Sequence, residues 1–161
     1  SAMMVKFVTD RGVTHELVRH RLCAFSQEST RYCNYSGGVT FVIPVWLDIQ
    51  AGEYLSLPDN WVATPKWVWA DHMLVAEADY RRLLRWGWTP QQARSVLPNS
   101  TKTEIVVTAN FREWRHIFKL RTSSAAHPQI REIMEPLLAE CKATIPIIFD
   151  DIEIDLLLFA G

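Results

Sequence analysis

Arg19-His20-Arg21-Leu22-Cys23-Ala24-Phe25-Ser26-Gln27-Glu28-Ser29-Thr30-Arg31-Tyr32-Cys33-Asn34-Tyr35-Ser36 is the stretch from which the rest of the chain is read. Three basic side chains are followed by small hydroxyls, amides and a further arginine, a composition suited to holding an anion at a helix end. Upstream, Val5 to Val8 alternates and is β-prone, and Asp10-Arg11-Gly12 reads as a turn. A helix is expected next, capped by Thr14, with Glu16 in its first turn and Val13, Leu17 and Val18 as its apolar stripe, running to about Cys23. Arg19, His20 and Arg21 would then occupy its last turns and, about 100° apart in succession, face different neighbours. The competing reading is a solvated basic face at a helix C-terminus, where cations are favoured in any case. His15 and His20 are five apart rather than four, so they do not form a helical zinc pair.

Downstream, Gly37-Gly38 breaks the chain before an expected strand from Val39 to Pro44. Residues 45–65 read as a loop with room for one short helix. Pro65 suits a first helical turn, and Lys66 to Trp86 runs without a breaker to Gly87, predicting one long helix whose Trp67, Trp69, Tyr80 and Trp86 read as core. Thr89-Pro90 caps a short helix, Gln91 to Val96, which carries Arg94. Thr101 to Thr108 reads as a strand closed by Asn110. Phe111, Trp114, Ile117, Phe118 and Arg121 then fall at helical spacing, with Arg112, Arg115 and Lys119 on other faces. Pro128 opens a last helix, Gln129 to Lys142, packed through Ile130, Ile133, Met134 and Leu137, in which Pro136 predicts a kink or break. Ile145 to Leu158 is ambiguous between strand and helix.

The chain has 161 residues, 48% hydrophobic and 22% charged, enough for one compact domain with a core. Ser1-Ala2 before Met3-Met4 reads as a cloning remnant. No apolar run is long enough for a membrane span and no signal-peptide order is present. Cys23, Cys33 and Cys141 form no C-x-x-C and read as free thiols of a reducing cytoplasm. A net charge of −1 disfavours a general nucleic-acid binder, although an RNA-binding role for the basic, aromatic segment Phe111 to Arg121 is a minor alternative. With no phosphate-loop or dinucleotide glycine pattern, a nucleotide or flavin would have to be held by arginines and helix ends.

Arg-His-Arg, seven residues, then Ser29-Thr30-Arg31-Tyr32 resembles the motif of the flavin-dependent thymidylate synthases (the ThyX family). A second block agrees: Ala93-Arg94-Ser95-Val96-Leu97-Pro98, then Asn110, Arg112 and Arg115-His116-Ile117-Phe118-Lys119-Leu120-Arg121. The resemblance implies an α+β fold, an antiparallel or mixed sheet flanked by helices, assembled as a cytoplasmic homotetramer with active sites between subunits. It implies methylation of dUMP to dTMP from 5,10-methylenetetrahydrofolate, with FAD as cofactor, NADPH as electron source and tetrahydrofolate as product. Carried over by position, Glu16, Arg19, Ser29, Thr30, Arg31 and Arg94 would line the dUMP site, Arg19 reaching the nucleotide of a neighbouring subunit. Arg19, His20, Arg21, Asn110, Arg112 and His116 would hold FAD, and Arg121 would lie against the pyrimidine as the catalytic group. No metal is implied. Ser29 has no readable base beside it and is expected to bind, not attack. The family normally carries a further N-terminal segment of several tens of residues that completes the flavin site, and this sequence begins almost at the strand before the motif. A dUMP-binding protein without turnover is therefore the alternative. Where some members have histidine shortly after the catalytic arginine, Ala125 stands here, with His127 two residues on.

Overall fold

The computed structural model describes residues 1–154. Three strands, β1 (Ala2–Asp10), β2 (Ala24–Gln27) and β3 (Lys102–Asn110), form one antiparallel sheet in the order β1-β3-β2. The helices are α1 (Arg11–Leu17), α2 (Pro65–Arg85), α3 (Pro90–Ala93), α4 (Phe111–Arg121), α5 (Pro128–Thr144) and α6 (Pro146–Phe149), with a 3₁₀ turn at Arg94–Val96. The α+β class expected from the sequence is the class observed.

The chain divides into two compact units. The first comprises Ser1–Thr9, Val13–Ser26 and Glu104–Gly161. Its core is built where alternation along a strand meets helical periodicity: Ile105, Val107 and Ala109 are the inward set of β3, and Trp114, Ile117 and Phe118 are the inward stripe of α4. Ile130, Met134 and Leu138 of α5 and Phe149 of α6 complete it, all fully buried. Phe118 and Phe149 pack edge to face at 5.6 Å between ring centroids. The buried Trp114 donates its indole N–H to the Met3 carbonyl at 3.0 Å, so its polar atom is satisfied inside the core.

The second unit comprises Asp10–Gly12 and Gln27–Thr103, with a smaller core of Val39, Tyr80 and Ala93. Pro65 stands at the start of α2, as expected, and Gly87 takes φ 87° just past the Trp86 C-cap, a left-handed position that suits glycine. The short α3 is held by Gln92, whose Oε1 accepts from the Thr89 N–H at 2.9 Å and from its hydroxyl at 3.1 Å.

Several expectations are corrected. The helix expected to begin near Thr14 begins at Arg11, because the Asn99 carbonyl accepts from the Arg11 and Gly12 N–H groups and supplies the partners its first turn needs. Thr14 is thus a fully buried helical residue instead of a cap. The same helix stops at Leu17, not Cys23. Arg19 N–H bonds back to Glu16 and His20 N–H to Leu17, three residues each, which tightens the end into a turn. Ala24–Gln27, expected to lie beyond a helix end, is instead an edge strand on β3. The strand expected from Val39 to Pro44 reduces to one antiparallel bridge, Phe41 to Thr101. Residues 45–64 contain no helix, and α2 begins at Pro65. Trp86, read as core, is 73% exposed. Helix α5 runs unbroken through Pro136. The ambiguous tail forms α6 and then irregular chain to residue 154, while residues 155–158 lie outside the described residues.

Candidate functional site

In the first unit, the turn after α1 and the outer face of α4 are brought together. Arg19 and Arg21 are exposed and His20 is buried at 6% exposure, so the three basic residues do look different ways, through a turn and not through helical pitch. Arg121, at the end of α4, donates from Nη1 to Glu16 Oε2 at 2.8 Å and from Nη2 to the Glu16 carbonyl at 3.1 Å. Its Nε donates to His20 Nε2 at 3.1 Å. A guanidinium always carries its proton, so His20 Nε2 must present a lone pair. Burial first, then the charges of Arg121 and His116, pull the His20 pKa down from 6.5 to about 4, which makes the ring neutral at pH 7.

The other face of His20 meets α4. Glu113 Oε1 lies 3.7 Å from His20 Nδ1, an electrostatic contact longer than a hydrogen bond, and Glu113 is itself 6% exposed. The His116 ring stands edge-on to His20 at 5.9 Å. Asn110 caps α4, its side-chain oxygen accepting from the Glu113 N–H at 2.9 Å. Arg112 and His116 are exposed on the same helix. Cys23, raised by burial and by the Glu113 charge to about 11, is a thiol at neutral pH and offers no nucleophile.

Donor atoms of His20, Glu113 and His116 lie within 4.8 Å of one another, and two imidazoles with a carboxylate form a set that divalent transition metals accept. Arg121 argues against an ion there: the His20 Nε2 lone pair is already taken by a cation. A neutral ring bound to metal through Nδ1 would need a proton on Nε2, where Arg121 also points a proton.

In the second unit, Thr30 is 3% exposed and its Oγ1 accepts from Arg94 Nη1 at 3.1 Å. Ser29 Oγ accepts from the Arg31 N–H at 3.3 Å. Arg31 is exposed, donates from Nε to Gln91 Oε1 at 3.0 Å, and lies 5.4 Å from the Tyr32 ring centroid. Ser29, Thr30, Arg31 and Arg94 are therefore one cluster, as their sequence motifs suggest. A cavity of about 550 Å³ in this unit, against α2 and lined by Trp69, Met73, Tyr54 and Leu57 among others, includes none of the sequence-predicted residues.

Two residues were missed from sequence. Glu113 is hidden because Asn110-x-x-Glu113 reads as a capping pattern, in which the acid would turn back to the cap. Gln91 carried no signal beyond its place beside Thr89-Pro90.

Comparison with known proteins identifies the family. A family described as thymidylate synthase complementing protein (Thy1) matches residues 2–147. The flavin-dependent thymidylate synthase of Corynebacterium glutamicum is 36% identical over 151 residues, covering 91% of this chain and 60% of that protein. Its counterpart from Corynebacterium diphtheriae is 38% identical over 152 residues, covering 91% and 59%. The chain thus spans about 60% of the length of the curated relatives it matches. Among solved structures, the UMP/dUMP methylase PolB of Streptomyces cacaoi, bound with 5-Br UMP, is 26% identical with a TM-score of 0.75, covering 92% of this chain and 72% of that one. The Helicobacter pylori flavin-dependent thymidylate synthase ThyX, complexed with FAD and dUMP, is 23% identical with a TM-score of 0.69, covers 94% and 72%, and shares the fold. On the match across residues 2–147, the chain belongs to the thymidylate synthase complementing protein family, the flavin-dependent thymidylate synthases.

Proposed function

We propose that this chain methylates dUMP to dTMP with 5,10-methylenetetrahydrofolate as one-carbon donor, FAD as cofactor and NADPH as electron source. The observation that carries this reading is the meeting of Arg121 with Glu16 and His20, which lie 105 and 101 positions away in sequence. The family resemblance assigns Glu16 and Arg121 to the dUMP site and His20 to the flavin.

The donor set of the first unit fits a flavin dinucleotide. Exposed guanidinium groups on Arg19, Arg21 and Arg112 suit a pyrophosphate, and exposed Asn110 and His116 offer further polar atoms. FAD, when bound, supplies the redox and one-carbon relay. Arg121 supplies a fixed positive charge for the pyrimidine as negative charge develops on it. Thr30, Arg31 and Arg94 bind the nucleotide: Arg94 is held in place by the buried Thr30 hydroxyl, and Arg31 is exposed. Assembly as a homotetramer with shared sites belongs to the same proposal.

Titration of the purified protein with FAD tests the reading, followed by NADPH oxidation with and without dUMP and methylenetetrahydrofolate. Flavin absorbance that shifts on binding and NADPH oxidation that requires dUMP are expected. A protein that takes up no flavin overturns it. A second reading is dUMP binding without turnover, which the Thr30, Arg31 and Arg94 cluster of the second unit would carry by itself. Calorimetry with dUMP alone separates the two: binding without flavin uptake favours the second.

A further inference from the structure

We propose that Glu113 is a positioning residue that fixes the tautomer of His20 and thereby holds Arg121 in the direction the reaction needs. The inference rests on the functional reading above for its consequence, but not for its structural content.

Three observations converge. First, His20 Nε2 accepts from Arg121 Nε at 3.1 Å, so a neutral His20 carries its proton on Nδ1. Second, Nδ1 faces Glu113 Oε1 at 3.7 Å, with both side chains buried at 5% and 7% exposure. In so dry a place a carboxylate favours the N–H that points at it, and an imidazole whose N–H is fixed on one nitrogen has its lone pair fixed on the other. Third, Glu113 completes only half of a capping box. Its N–H is held by Asn110, while its carboxylate faces His20. A negative charge in the first turn of α4 is favoured by the helix dipole, so the N-terminus of α4 offsets part of the cost of burying it.

The consequence is a directed chain. Glu113 sets the Nδ1 proton of His20, the Nε2 lone pair receives Arg121 Nε, and Glu16 receives the other two guanidinium nitrogens. Without Glu113, the ring is free to adopt the opposite tautomer, whose Nε2–H would repel the Arg121 donor. Arg121 would then keep Glu16 and lose its second anchor. Glu113 need not touch substrate to matter, since misplacing Arg121 removes its charge from where charge develops.

Nitrogen-15 NMR of histidine-labelled protein at pH 7, with the His20 signals assigned through His20→Gln, tests this. The wild type is expected to show a protonated Nδ1 and an unprotonated Nε2. Glu113→Leu is expected to shift His20 toward the Nε2–H form, and Glu113→Gln, which keeps an acceptor oxygen, to preserve the wild-type tautomer. With FAD and dUMP bound, Glu113→Leu is expected to lower kcat about tenfold or more with KM for dUMP changed less than about threefold, and Glu113→Gln to restore most of the loss. An Nε2–H tautomer in the wild type, or an unchanged tautomer in Glu113→Leu, overturns the inference. Should Glu113→Leu not fold, the wild-type tautomer and its retention in Glu113→Gln decide. A protein without turnover would leave the NMR outcome standing and count only against the proposed activity.

Discussion

Arg121 makes three hydrogen bonds, to Glu16 Oε2, to the Glu16 carbonyl and to His20, which anchor its charge on both sides of the α1 turn. Arg121→Ala is expected to leave dUMP binding measurable by calorimetry while lowering turnover by about 10²-fold or more, the scale of losing one transition-state donor. Turnover within a few-fold of wild type would remove Arg121 from the catalytic role. Arg94→Ala should act in the opposite way, raising the dUMP dissociation constant about tenfold or more because a charge-assisted bond is lost in the ground state. An unchanged binding isotherm would exclude Arg94 from the nucleotide site. Arg121 and Arg94 are named as candidates by the motifs that contain them. That Glu113 faces His20 was not legible, because an acid three residues after Asn110 has a sufficient local explanation in the cap.

At the scale of elements, α4 serves both the core and the candidate site. Its Trp114, Ile117 and Phe118 stripe is fully buried, and its other faces hold Arg112, His116 and Arg121. Trp114→Ala should cost about 3–5 kcal/mol of unfolding free energy, read by urea denaturation, since it leaves a cavity and an unpaired Met3 carbonyl. Asn110→Ala should cost about 1 kcal/mol through the lost cap and lower the melting temperature by about 2–4 °C. A melting temperature unchanged by Asn110→Ala would show that the cap contributes nothing to α4. Helices with strong periodicity and terminal signals, α2 and α4, were readable almost to the residue. The end of α1 and the four-residue β2 were not. Arg19 to Gln27 has no periodicity strong enough to choose a state, and pairing on β3 chose it.

For the whole molecule, acid is the informative stress. The native pKa of His20, about 4, lies below its ordinary 6.5, so the unfolded chain takes up the proton first as pH falls. The stability that neutral, buried His20 permits is therefore present above about pH 6.5 and is lost progressively toward pH 4. After allowance for solvent screening the loss is about 1–2 kcal/mol. Asp151, lowered from 3.8 to about 2 by its hydrogen bonds from Arg115, adds a separate decline between those values. Urea unfolding across pH 4 to 7 should show the first slope, and His20→Gln should flatten it; an equal slope in that variant would assign the effect elsewhere.

The sequence alone determined the α+β class and the family, because periodicity, caps and motif spacing are local properties of the chain. Tertiary structure alone decided that His20 is buried and neutral, that Arg121 binds it through Nε, and that Glu113 faces its far nitrogen. Those are consequences of desolvation and of contacts between residues about a hundred positions apart, and no local pattern encodes them. Arg19 to Ser36, expected at a helix end, instead runs through a turn into β2, because its backbone state is set by pairing on β3.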